Sequence, residues 1–536
     1  MRTRDRVAWT TALLITILAT VVSRPIVASA APSCLANFRE VPIPSLGSQM
    51  VLGDVALASA TDGWAVGGSG SAAVVLTWNG SSWSTASLPS FAGGSSASGV
   101  AAISADDAWV VGSHNNRTKA LLLHWNGVAW SKVAAPSVAG ATSVSLQGAS
   151  ASGWNDVWAV GSAEVLGATY PITMHYNGIA WSNVSYPSSG SPEWLTDVAA
   201  FGGTAAWLSG HSTPGGSAGE IGIWNGASWA NTFAGIDMNG VSGTSIGNVW
   251  VVGSAIGTGW LRTWTAHWNG SSWTYHTALN PGTGGHAFDG ASSATGGQIW
   301  AVGWYNNQDS DKALAEIEAN GSWTWVPTPV VGTEDTKFEA ISEVGGLAVA
   351  VGSSWNRQQT ALIETMCPIL ITTGGTNPQI AVADVGATVL WEMTAGAGAH
   401  SLSDASLGTF DAGSIPAGGV YTHAFDAAGT YTIDDAVGGT PSGTIGVRMA
   451  RSRTSAPSGT AVTITWATQP ASAPLVYDVE ILKPGATDWR AWKTGVVSGQ
   501  TRFTPKVAGT YRFRALVRST LGPTTGFSPE LTYRAT

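Results

Sequence analysis

The chain has 536 residues, more than one hydrophobic core usually supports, so several domains are expected. Only 11% of residues are charged, against 68 Gly and 28 Trp, a balance suited to short strands and tight turns that argues against a helical or a disordered protein. The formal net charge of −9, with no Lys/Arg cluster past Arg6, argues against a partner held by phosphate neutralisation such as nucleic acid, and no phosphate loop or zinc-ligand spacing occurs.

The first 30 residues carry Arg2, Arg4 and Arg6, an apolar run from Val7 to Val22 and the small-x-small ending Ala28-Ser29-Ala30, which predicts a signal peptide cleaved near Ala30. The competing expectation, a membrane anchor, needs about 20 apolar residues and no cleavage site. No second run of that length follows, so secretion from a bacterium or display at its surface is expected, without membrane insertion.

One pattern then recurs over residues 50–366: an apolar strand, a polar turn, Trp-Ala-Val-Gly, a variable loop, a strand ending in Trp-Asn-Gly, and Trp again. The first Trp falls at Trp64, Trp109, Trp158, Trp207, Trp250 and Trp300, with Val349 seventh, giving spacings of 45, 49, 49, 43, 50 and 49. That period with four strand-like segments per copy predicts an all-β fold led by a seven-bladed β-propeller over residues 34–368. Asn-Gly at Asn79, Asn126, Asn177, Asn225, Asn269 and Asn320 predicts tight hairpins with φ > 0. Trp at the repeated positions, and His124, His175 and His267 before the aromatic-Asn-Gly turn, are assigned to the core.

The seventh copy stops at Cys367-Pro368, while Phe38-Arg39-Glu40-Val41 matches Trp130-Ser131-Lys132-Val133. Residues 34–46 are therefore expected to complete blade seven, with a Cys34–Cys367 disulfide closing the ring. A lipidated Cys34 is the alternative, though Ala31-Pro32-Ser33 lacks the expected leucine and Cys367 would be left over. The repeat resembles the secreted Trp-rich propellers grouped with kelch and galactose-oxidase-like proteins. It departs from kelch in lacking the Gly-Gly pair, and the sialidase Ser-x-Asp-x-Gly-x-Thr-Trp box is absent.

Residues 369–449 read as a small β-sandwich that resembles a cupredoxin through Val389-Leu390-Trp391, His400-Ser401-Leu402, Phe410-Asp411-Ala412-Gly413 and Gly429-Thr430-Tyr431. Carried over, the resemblance puts His400 at the first copper-ligand place, but Asp435, Gly438 and Pro441 stand where Cys, His and Met are needed. A blue site is not expected, and His400 with Asp435 is left as a weak metal candidate. Residues 452–536 resemble a fibronectin type III module through Thr463-Ile464-Thr465-Trp466, Tyr477-Asp478-Val479-Glu480-Ile481 and Tyr511-Arg512-Phe513-Arg514-Ala515-Leu516-Val517.

No catalytic constellation or cofactor motif is found, so the expectation is a monomeric, non-catalytic binding or adhesion protein with an extracellular glycan or protein ligand and no cofactor. The alternative is a copper-dependent extracellular oxidase of galactose-oxidase type or a cupredoxin-type electron carrier. Against the oxidase, both cysteines are assigned to ring closure, and His114, His211, His276 and His286 show no metal spacing. Binding is expected on the face formed by the loops after each Trp-Ala-Val-Gly strand and the connections between blades. The candidates there are Asn115, Asn116 and Arg117, then Trp304, Tyr305 and Asn306, then Trp355, Asn356 and Arg357, where aromatic rings beside amides and guanidinium suit a sugar or a protein edge.

Overall fold

The computed structural model describes residues 35–536 apart from 48, 69–70, 189–191, 213–217, 235, 258, 295–296, 308–309, 330, 332–333, 373–374, 395, 436 and 438–442. The signal segment, Cys34, Gly438 and Pro441 thus lie outside the described residues. Every regular element described is a strand.

Seven four-stranded antiparallel sheets carry the repeat. Their inner strands are Val51–Ser59, Ser95–Ser104, Ala141–Gly153, Glu193–Ala200, Asp237–Ser245, His286–Ser293 and Thr336–Val344. Each pairs with a second strand that bears the repeated Trp, and two further strands follow outward. In the seventh blade the outer strand comes from the other end of the chain: Arg39 lies opposite Thr365 and Glu40 opposite Glu364.

The Trp period has a single packing cause. The second-strand Trp of one blade meets the outer-strand aromatic of the next edge to face, in the pairs Trp64–Trp130, Trp109–Trp181, Trp158–Trp229, Trp207–Trp273, Trp250–Trp323 and Trp300–Phe38. Centroid separations are 5.1–6.2 Å and interplanar angles 76–86°, the arrangement that the ring quadrupole favours. In the seventh place Val349 joins the cluster around Trp83 and closes the ring. The repeated histidines finish the wedge: His124, His175 and His267 lie over Trp109, Trp158 and Trp250 at 4.4–4.5 Å, and their Nε2 atoms bond Asp107, Asp156 and Asn248.

The Asn-Gly turns differ from the expectation in one respect. The glycines have φ of 83–91°, but of the asparagines only Asn320 has positive φ. In the other five turns Asn Oδ1 accepts the amides two and three residues on, so Asn works as a side-chain cap and Gly alone takes the left-handed conformation. Blade six has one residue fewer before its Trp, which tightens the turn until both residues must be left-handed.

Beyond the propeller, one pair of sheets contains four strands built around Ile369–Thr372 and Thr388–Met393 and five built around Gly429–Asp434 and Thr444–Arg448. A second pair contains three strands around Val462–Thr465 and five around Gly509–Ser519. Their inward faces form one continuous apolar cluster that includes Trp391, Phe425, Trp466 and Phe513. The first pair abuts the turn face of blade six, where Gln298 Nε2 donates to Met393 O and Gly418 O at 3.0 and 3.1 Å and Asn320 Nδ2 to Ala417 O at 3.2 Å. That leaves the opposite propeller face, with the loops after the second strands, on the far side from these contacts.

Candidate functional site

Each inner strand carries a β-bulge at the same place, so one residue per blade is skipped in the register with the second strand. The skipped residues are Gly53, Ser98, Gln147, Thr196, Asn239, Asp289 and Glu339, and all seven line the central channel. The bulge is what aims them there, and their identity varies from blade to blade. Several are stitched to the next blade. Thr196 Oγ1 donates to Met238 O at 3.1 Å, and Asn239 Nδ2 donates to Phe288 O at 2.8 Å and Asp289 Oδ1 at 3.2 Å.

The next residue in each blade, Asp54, Gly99, Gly148, Asp197, Gly240, Gly290 or Ala340, faces the neighbouring inner strand. Asp54 and Asp197 use that closeness: each accepts the following amide, from Val55 and Val198, and reaches the amide of the adjacent blade, Val100 at 2.8 Å and Val241 at 3.0 Å. Burial pushes the Asp54 carboxyl up to about 8 and that of Asp197 up to about 6, against the pull of those amides.

At the face of the loops after the second strands, the channel widens into a cavity of about 750 Å³ lined by the seven skipped residues together with Ser96, Trp194, His211, Ser212 and Asp237, among others. Trp194 opens the inner strand of blade four and is 39% exposed. His211 Nδ1 lies 3.5 Å from Asp237 Oδ1, yet burial holds the imidazole below its usual value. Opposite, burial and then the Glu339 charge push Asp289 up to about 8, and burial likewise raises Glu339. The wall is thus rich in hydroxyls, amides and carboxyls around one aromatic face, suited to a polar ligand with an apolar side. Among the described residues no group of three or more His, Cys, Asp or Glu is placed to hold a metal ion.

A smaller cavity of about 470 Å³ adjoins this mouth through Ser96, Ser98 and Gln147 and is floored by serines of blades two and three. Asn116 and Arg117 line it. Asn115, Asn116 and Arg117 form three successive left-handed residues, with φ of 54°, 55° and 66°, a conformation that side-chain-bearing residues rarely string together. It is held by Gly94 N donating to Asn116 Oδ1, Asn115 Nδ2 to Thr118 Oγ1, and Val144 N to Arg117 O.

The other sequence candidates are placed elsewhere. Trp304, Tyr305 and Asn306 are strand residues, within Ile299–Asn307, and not a loop, because the hairpin pairs out to Asn307 and Ser310. Trp304 is half-buried beneath Lys337 Nζ at 4.5 Å, Tyr305 lies against His286, and Asn306 Nδ2 bonds Asp311. Trp355 ends its strand 40% exposed, with Asn356 and Arg357 in the turn. None of these six lines either cavity. His400 begins a strand and is 3% exposed. Its Nδ1 meets Asp435 Oδ2 at 2.5 Å and its Nε2 meets Ala397 O at 3.0 Å. Both ring nitrogens are thus held against oxygen atoms of the same domain.

The sequence candidates omit Trp194, Gln147, Asn239, Asp289 and Glu339. Aligning the seven inner strands would have exposed Gln147, Asn239, Asp289 and Glu339 as one variable position of the repeat, with Trp194 two residues before that position in blade four.

No protein-family model matches the chain, and no curated protein matches it. Among solved structures it is similar to YCF48 from Cyanidioschyzon merolae, 14% identical with a TM-score of 0.41 over 62% of this chain and 98% of that one. It is also similar to a protein of unknown function from Dyadobacter fermentans, 9% identical with a TM-score of 0.38 over 61% and 98%. A fucose-specific lectin from Aleuria aurantia matches at 12% identity and a TM-score of 0.32 over 50% and 95%. The chain is an all-β protein: a β-propeller of seven four-stranded blades, followed by β-sandwich-like sheets.

Proposed function

We propose that the chain is a secreted, non-catalytic binding protein that recognises an extracellular carbohydrate or protein ligand at the mouth of the propeller channel. The observation that carries this is the open cavity of about 750 Å³ in which amide, hydroxyl and carboxyl side chains from blades two to seven converge beside the half-exposed Trp194. Flat aromatic surface ringed by hydrogen-bonding groups matches the two-sided chemistry of a sugar ring. The leader ending at Ala30 supports export, and the ligand class follows from that location.

Cys34 and Cys367 form a disulfide in this reading. It is supported by the disulfide-bonded state of Cys367 and by the Cys367 amide donating to Leu35 O at 2.8 Å, which brings the two ends together. The two later sheet pairs are a cupredoxin-like and a fibronectin type III-like unit serving as a stalk. Tyr431 Oη donates to Ala427 O and Tyr511 Oη to Val507 O, each four residues upstream, the corner bond frequent in such sandwiches.

A glycan array probed with the full chain tests the function, with Trp194→Ala and Asn239→Ala as mouth variants. Binding to a defined saccharide that both variants weaken supports the reading. Binding that neither variant changes moves the site off the propeller mouth.

A further inference from the structure

Resting on that proposed function, we infer that the side cavity between blades two and three is the subsite for the anionic group of an acidic polysaccharide. Hydroxyls dominate its wall: Ser95, Ser96, Ser98, Ser113 and Ser145 line it, from two adjacent blades. Ser113 is 3% exposed, and its hydroxyl has no partner among the described residues, so what is exposed of it opens into the cavity. At the rim stands Arg117, whose guanidinium forms no ion pair or hydrogen bond with the described residues. A guanidinium left unpaired beside hydroxyl donors offers the forked geometry that a carboxylate or a sulfate ester accepts.

The charge around the mouth orients such a ligand. Lys119 and Lys132 stand on the same blade as Arg117, and after burial their charges are the causes that lower His114. On the opposite side of the mouth are Asp289 and Glu339. An anionic group is therefore drawn toward the cations of blade two rather than toward this carboxyl side, while Ser96, Ser98 and Gln147, shared by both cavities, let the neutral part of the sugar continue toward Trp194. The left-handed run Asn115–Arg117 supplies the reason for its own strain: it holds Arg117 at this rim through backbone bonds to Gly94 and Val144.

The test compares matched oligosaccharides by titration calorimetry with the full chain: a neutral one, its uronate-bearing counterpart and its sulfated counterpart. The variant is Arg117→Asn, because Asn tolerates the left-handed conformation while removing the guanidinium. A charge-assisted bond predicts acidic ligands bound about 10- to 100-fold more tightly than the neutral one, with Arg117→Asn erasing that preference and its salt dependence. The two acidic arms say whether carboxylate or sulfate is the natural group. An acidic preference that survives Arg117→Asn, or no preference at all, overturns the subsite. If Trp194→Ala still weakens every saccharide in that case, the mouth as binding site stands. If no saccharide binds the full chain, the subsite falls and the proposed function is reduced to its protein-ligand form.

Discussion

Replacing Gly148 by alanine tests whether the blades approach as closely as the channel requires. A Cβ there would lie 2.8 Å from Asp197 Cα and 2.8 Å from Thr196 O, backbone atoms of the next blade that no side-chain rotation can move. Ordinary contact begins near 3.4 Å, so blade four must retreat by about half an ångström or the inner strand must bend. Overpacking of this kind costs about 1–3 kcal/mol, and the rigid backbone neighbour places Gly148→Ala in the upper part of that range. The other bulge glycines grade the effect. Gly290 meets Ala340 Cα at 2.8 Å and should behave alike, whereas Gly240 meets Ala291 N at 3.1 Å and should cost less. Gly153→Ala, whose nearest neighbour is Asn155 Oδ1 at 3.7 Å, is the control. Thermal unfolding followed by tryptophan fluorescence gives the ranking directly. If all three variants melt with the control, the close-approach account of the glycine ring is refuted. The same displacement separates Gln147 from Thr196, so Gly148→Ala should also weaken any ligand bound at the mouth.

Three other outcomes follow from particular residues. Because burial raises Asp54 to about 8 from an unfolded value of about 3.9, the folded state binds more protons than the unfolded one. This group's contribution is therefore fully present below pH 4 and lost as pH rises to about 8; in Asp54→Asn the melting temperature should lose that part of its fall, and an unaltered pH profile would contradict it. Trp158→Ala, at a fully buried wedge position packed by Trp229 and His175, should cost about 3–5 kcal/mol, whereas Trp355→Ala should stay within about 1 kcal/mol by the same denaturation assay. Cys367→Ser should lower stability by about 4–5 kcal/mol on the chain-entropy account of so long a loop, and equal melting with and without reductant in the wild type would show that the bridge does not carry it.

The architecture was legible because the packing that enforces it repeats. One Trp per blade must meet the next blade's outer aromatic, so its period survives loops of variable length. Even the exceptions obey the rule: Val349 and Phe38 occupy Trp places and pack as Trp would, beside Trp83 and Trp300. The chemistry of the turns was less legible. Asn-Gly names a hairpin, but whether Asn takes positive φ or caps with its side chain depends on one residue of spacing before the following Trp, as blade six demonstrates.

The site was harder to see for a reason built into propellers. A search for loops rich in aromatics and amides finds Arg117 and Asn116, which do line a cavity, and equally finds Trp304 and Tyr305, which a longer hairpin turns into strand. The channel residues have no such signature, since each is a single residue within its strand, and only the bulge shared by all seven blades turns them to the lumen. The informative positions are therefore those where one blade departs from its copies at a place the packing leaves free. Gln298 makes the point outside the channel. Where blades one, two, three and five carry Asp62, Asp107, Asp156 and Asn248 two residues before Trp, blade six carries Gln, whose longer amide reaches Met393 and Gly418 of the adjoining sandwich. Asp289 and Glu339 depart in the same sense from Gly53 and Ser98, and they bring carboxyl groups to the mouth at a position where the other blades carry none.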